Sequence, residues 1–145
     1  MRWFKLRAFE KSLQKLGRLL ALRELYRLVN EKHSPEARGR NLLRAWLTPE
    51  QRVQFDSFGY FDVKGCASGK KYRIHFGISA NVHELGEGDL PKMGWCFVPS
   101  GNLVPGDVML AQKIALETSE KAALAVANPF PAMPPAYRGQ LDRHF

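Results

Sequence analysis

A chain of 145 residues, 45% hydrophobic and 25% charged, has the length and make-up of one folded domain with appendages, and this excludes wholesale disorder. Its net charge of +8 is not spread evenly: residues 1–47 hold twelve Lys and Arg against Glu10, Glu24, Glu31 and Glu36, while the rest of the chain carries ten bases and ten acids. Two cysteines, Cys66 and Cys96, are too few for a disulfide framework; one bridge between them stays open, and two reduced thiols is the preferred reading.

Clustered positive charge points to an anionic partner, because it steers association in a way that a mixed surface does not. Residues 3–31 read as one long helix or two abutting ones. Leu6, Phe9, Leu13, Leu16 and Leu20 recur at helical spacing on one face, and Arg7, Lys11, Lys15 and Arg18 fall on the other. Beyond Gly17 the apolar stripe moves to Leu19, Leu22, Tyr26 and Val29, so the helix either bends there or packs its halves against different things. The later half is expected to dock and the earlier half to project.

Ser34-Pro35-Glu36 is a helix start, and the helix it opens is expected to turn Leu42, Leu43, Trp46 and Leu47 inward. Thr48-Pro49-Glu50-Gln51 is a second start with the makings of a capping box, and this helix stops near Gly59. The period then falls to two. Tyr60–Lys64, Lys71–Phe76, Asn81–Leu85 and Trp95–Val98 read as four strands, joined by links too short for a crossover helix. Pro105-Gly106-Asp107 opens the last helix, expected to run to about Ala127 with Val108, Ala111, Ile114, Ala115, Thr118, Ala122, Ala125 and Val126 inside, and Lys113, Glu117 and Lys121 outside. Residues 129–145 carry four prolines and read as an extended tail.

The pattern predicts an α+β fold: N-terminal helices, a four-stranded antiparallel meander, one long C-terminal helix packed on the sheet, and a Pro-rich tail. Three segments follow: a basic helical arm 1–47, a body 48–128 and a tail 129–145.

Little in the body suggests chemistry. The soft ligands Cys66, His75, His83 and Cys96 form no close pair of the kind that structural zinc uses, so no metal and no cofactor is expected. His75 and His83 are placed on neighbouring strands. The serines and cysteines stand in no nucleophile motif, and Glu84, Glu87 and Asp89 read as solvated loop acids, so no catalytic residue is assigned. The loop Gly65-x-x-x-Gly69-Lys70-Lys71 is one residue short of a P-loop and leads into a strand; it reads as a hairpin turn whose lysines add to a basic surface. Pro134-Pro135-Ala136-Tyr137 has the form of a WW-domain ligand but reads as ordinary tail.

The region from Leu43 to Asn128 resembles a group of small bacterial proteins of unassigned activity, through Leu47-Thr48-Pro49-Glu50-Gln51, Gly59-Tyr60-Phe61-Asp62-Val63, Tyr72-Arg73-Ile74, Asn81-Val82 and Gly106-Asp107-Val108-Met109-Leu110-Ala111-Gln112-Lys113. It is also similar to the SWIM zinc-finger plan of a β-hairpin followed by a helix. Where that family has Cys-x-Cys and Cys-x-His, this chain reads Asn81-Val82-His83 and Asp107-Val108-Met109, so the resemblance implies a zinc-free binding module.

The expected function is a non-catalytic binding module whose partners are nucleic acid or an acidic protein surface. The candidate phosphate contacts are Arg7, Lys11, Lys15, Arg18, Arg38, Arg40, Arg44, Lys70 and Lys71. The alternative is a protein–protein adaptor, or small subunit of an assembly, docking through Leu6, Phe9, Leu13, Leu16 and Leu20. Peripheral contact with an anionic membrane is a third use of the same helix. No segment reaches the ~18 apolar residues that span a bilayer, and the expected location is the cytoplasm.

Overall fold

The computed structural model describes residues 2–132, with side chains from residue 10 onward. Four helices, α1 (Arg2–His33), α2 (Pro35–Trp46), α3 (Pro49–Phe58) and α4 (Pro105–Val126), accompany five strands, β1 (Tyr60–Lys64), β2 (Lys71–His75), β3 (Val82–Leu85), β4 (Pro91–Cys96) and β5 (Asn128–Pro131). The chain divides into two compact units, Met1–Arg38 and Gly39–Phe145.

In the first unit α1 is a single helix of 32 residues with no break at Gly17, about 48 Å long at 1.5 Å per residue. Every side chain from Glu10 to His33 is exposed, so Leu19, Leu22, Tyr26 and Val29 are not the buried stripe that the periodicity suggested. Ser34 separates α1 from α2 and caps the latter: its Oγ accepts from the Ala37 N–H at 3.1 Å.

The second unit is built around an all-antiparallel sheet in the order β1-β2-β3-β4-β5. The α+β expectation holds, with five strands in place of four. The fifth was hidden by its prolines. Pro129 and Pro131 cannot donate to a ladder, yet they sit on the outermost strand, where a missing N–H turned away from β4 costs nothing. The fourth strand begins earlier than expected, at Pro91, and ends at Cys96.

Thr48 and Gln51 close the expected capping box, each side chain bonding the other's backbone N–H at 3.2 and 3.1 Å. Gly59 ends α3 with a φ of 72°, a left-handed turn that a side chain would resist, and the chain reverses directly into β1. On the sheet face toward α4, Phe61, Val63, Tyr72, Ile74 and Val82 are buried with Met109, Leu110 and Leu116, and with Leu43, Leu47 and Phe55 from α2 and α3. Leu42 and Trp46, expected inside, are exposed.

The inner stripe of α4 is turned from the expected one. Val108, as expected, and Met109, Gln112, Lys113, Leu116, Glu120 and Ala123 are buried, while Ala111, Ile114, Thr118, Ala122, Ala125 and Val126 are exposed. Two buried amides fix this rotation. Asn81 and Gln112 exchange reciprocal hydrogen bonds at 2.8 Å, and Asn81 also donates to the His75 carbonyl at 3.0 Å. Lys113 is buried rather than outside and bonds Glu117 at 2.7 Å.

Gly106 lets the start of α4 touch α2 backbone to backbone, since a Cβ there would overlap the Gly39 carbonyl. Gly106→Ala is expected to lower stability by about 1–3 kcal/mol, which thermal unfolding reads as a drop of several degrees. Gly17→Ala in α1, where nothing among the described residues lies within 4 Å of the added carbon, is expected to raise helix content instead.

Candidate functional site

Three features of the described residues carry chemistry: a buried carboxylate in the β1–β2 turn, the cations of α1, and a row of rings across the sheet.

The turn between β1 and β2 is a nest of backbone N–H groups, and its occupant is the protein's own Glu120. Glu120 as a residue is 2% exposed. It accepts from the N–H groups of Ala67 (2.7 Å) and Ser68 (2.8 Å), from the Ser68 hydroxyl, and from the Tyr72 hydroxyl at 2.7 Å. A Cβ at residue 65 would overlap the carboxylate, so only glycine lets the turn close on it. Cys66 adds two ties to α4: its N–H donates to the Leu116 carbonyl at 3.1 Å, and its Sγ accepts from the Glu120 N–H at 3.4 Å. Burial pushes the Glu120 carboxyl up, but the bonds from Ser68, Tyr72 and Ala67 outweigh it and hold the group at about 2. Burial, with the Glu120 bond, pushes the Tyr72 hydroxyl well above the usual tyrosine range. A depression of about 190 Å³ beside this turn, lined by Ser68, Lys70, Lys121 and Leu124, lies over donors already in use. The loop is thus a hairpin turn, as its spacing suggested, and Glu120 fills the place that an anion would take.

On α1, Lys11, Lys15 and Arg18 are exposed and, among the described residues, enter no ion pair. Arg27 is bound by Glu24 at 2.6 Å and Glu31 at 2.8 Å. Arg38 is exposed; Arg40 lies over the Phe76 ring at 5.3 Å; Arg44 pairs with Asp56 at 2.5 Å. Lys70 and Lys71 bond Glu84 and Asp89 at 3.0 and 2.8 Å. Leu13, Leu16 and Leu20 are 52%, 54% and 57% exposed. The side chains of Leu6, Arg7 and Phe9, and the segment Pro134 to Tyr137, lie outside the described residues.

The sheet face away from α4 carries a row that periodicity did not single out. Phe58, the last residue of α3, stacks on Tyr60 with centroids 5.4 Å apart and planes 14° apart. Tyr60 meets His75 at 5.5 Å, His75 meets His83 at 5.0 Å, and His83 meets Phe130 at 5.7 Å, each edge to face. The row reaches Phe130 because Gly94 lies between: a Cβ there would overlap the Phe130 ring. The Arg73 guanidinium lies 4.1 Å from the Tyr60 ring centre while gripping Asp62 with two bonds, at 2.8 and 3.0 Å. The available signal was that Tyr60, Arg73, His75 and His83 hold alternate, outward positions of three successive strands. Phe58 and Phe130, at the row's two ends, gave none.

His75 and His83 are indeed on neighbouring strands, and no group of three His, Cys, Asp or Glu among the described residues is placed to hold a metal ion. No described helix is long and apolar enough to cross a membrane. No protein family, curated protein or solved structure matches this chain.

The Glu120 carboxyl falls from 4.5 in the open chain to about 2 in the fold, so its stabilisation is full above about pH 5 and is lost as pH falls toward 2. Glu120→Gln is expected to cost about 1–3 kcal/mol at pH 7. Chemical denaturation at a series of pH values should show the gap between the parent and this variant shrinking from pH 5 downward. A constant gap would contradict the assignment.

Proposed function

We propose that this protein is a non-catalytic module that binds nucleic-acid phosphates through the cationic face of α1, without reading sequence. The observation that supports it most is that Lys11, Lys15 and Arg18 are exposed and, among the described residues, are not neutralised by the protein's own acids. They lie within an arc of about 60° on the helix, so one edge of α1 can follow a phosphate backbone. Arg7 extends the same row in sequence. Arg44, Lys70 and Lys71 each have an acid beside them and would contribute less. Kinship with a zinc-free SWIM-type plan, and a cytoplasmic location, belong to this proposal and favour a binding role.

A second reading has its own support in the exposure of Leu13, Leu16 and Leu20: α1 docks an acidic protein through this seam, and the charge selects the partner. Leu13→Ser with Leu16→Ser would abolish such capture and, adding no charge, leave nucleic-acid affinity close to the parent's.

Fluorescence anisotropy with a short oligonucleotide between about 50 and 200 mM salt tests the leading reading. Affinity is expected to fall steeply with salt. Lys11→Glu/Lys15→Glu/Arg18→Glu should weaken binding for every sequence tried and flatten the log–log salt slope by about 2–3. Salt-independent binding, or a triple variant that binds like the parent, would end this reading.

A further inference from the structure

We infer that the sheet face away from α4 stacks the unpaired bases of a single-stranded nucleic acid, with Phe58 as its outermost platform and Lys64 and Lys71 as its phosphate contacts. This goes beyond the grip of α1 on phosphates and rests on that reading of the partner.

Two independent features of the face lead here. The first is the row of rings. Phe58, Tyr60, His75, His83 and Phe130 cross from α3 to β5 in contacts of 5.0 to 5.7 Å. Phe58 lies parallel to Tyr60 and is 67% exposed, so the row ends in an aromatic ring open to the solvent side. Aromatic stacking is sequence-tolerant, because every base offers a π-face, and Arg73 at the Tyr60 ring adds a cation to the platform.

The second feature is electrostatic. Lys64 and Lys71 are register partners on β1 and β2, directly opposite each other on the same face as Tyr60 and His75. Like charges so placed weaken a strand pair. Asp89 relieves Lys71 at 2.8 Å, but Lys64 is exposed and has no ion pair among the described residues. An anion lying across the two strands turns that repulsion into a binding site. Tyr60 and Lys64 are four residues apart on one strand, about 13 Å, so rings and lysines meet different parts of one extended strand. A ligand with flat rings at one end of this span and negative charge at the other is a single-stranded nucleic acid.

The test compares the full chain's affinity for an oligonucleotide with that for an abasic strand of the same length, which keeps the phosphates and removes the bases. The intact strand is expected to bind at least about fivefold more tightly. Phe58→Ala should erase most of this preference and leave abasic affinity unchanged, and Lys64→Ala should weaken both strands alike. Phe58 is exposed, so the variant should fold, which circular dichroism verifies; Tyr60→Leu gives a second ring removal. Equal affinity of the parent for the two strands overturns the inference while leaving the phosphate reading in place. A preference that survives both ring removals overturns it too. Binding of neither strand defeats the phosphate reading and this inference with it.

Discussion

A carboxylate buried without a cation holds the β1–β2 turn to α4. Removing the Glu120 charge from water costs several kcal/mol, and among the described residues no ion pair offsets it. Four donors do: two N–H groups of the turn, the Ser68 hydroxyl and the Tyr72 hydroxyl. These donors come from the turn and from β2, while the acceptor comes from a helix some fifty residues later in the chain. No subset of them suffices, because a half-satisfied buried charge is worse than none. Turn, strand and helix are therefore set together: the α4 backbone departs from helical geometry at Ser119 (φ −147°, ψ 45°), just before Glu120, while the segment ahead of that kink seats Met109, Gln112 and Leu116.

Among the described residues both edges of the same sheet are blunted. At β1 the outer edge is taken up by α3: Gln51 donates to the Asp62 carbonyl at 2.9 Å and Gln54 accepts from the Asp62 N–H at 3.0 Å. At β5 the prolines remove the outward donors. Strand addition by another chain is thus disfavoured at both edges, which protects against edge-to-edge aggregation. One face lies under α4. On the other face a regular ladder sets a side chain every second residue at fixed spacing.

How legible this was in the sequence depended on whether the deciding force was local. The α3 cap, the Gly59 stop and the first three strands follow from residues within a few positions of each other, and they fold as read. The orientation of α4 is not local. Small apolar residues such as Ala122 and Ala125 looked like an inner stripe, but a kink at Ser119 breaks the helical period before them, and buried polar contacts hold Gln112 on one side of it and Glu120 on the other. A period of 3.6 cannot reveal that a Gln and a Glu belong inside, since their reward lies in partners 31 and 48 residues away. Strand β5 failed for the opposite reason: Pro129 and Pro131 follow a correct rule against central strands, and the rule has an exemption at edges. In α1 the stripe was sound as a pattern, but a pattern says which side is apolar and not what covers it.

Charge shows the same difference between sum and placement. Residues 48–145 are neutral in total, and much of that neutrality is achieved pair by pair: Arg73 with Asp62, Lys70 with Glu84, Lys71 with Asp89, Lys113 with Glu117. The exposed pair, Lys71 with Asp89, contributes little to stability, but all four cancel the field at distance. On α1, among the described residues, only Arg27 is so cancelled, which leaves Lys11, Lys15, Arg18, Arg23 and Lys32 as sources of a long-range field. A field attracts anions without discriminating among them, whereas discrimination needs contact with surfaces at fixed positions. The helix supplies the first and cannot supply the second, because long lysine side chains on an exposed helix hold no fixed geometry. The sheet face can, since its rings are locked to one another and Arg73 is held by two bonds to Asp62. Under the proposed reading, attraction is expected from α1 and from the sheet lysines alike, and selection from the rings of the sheet face alone.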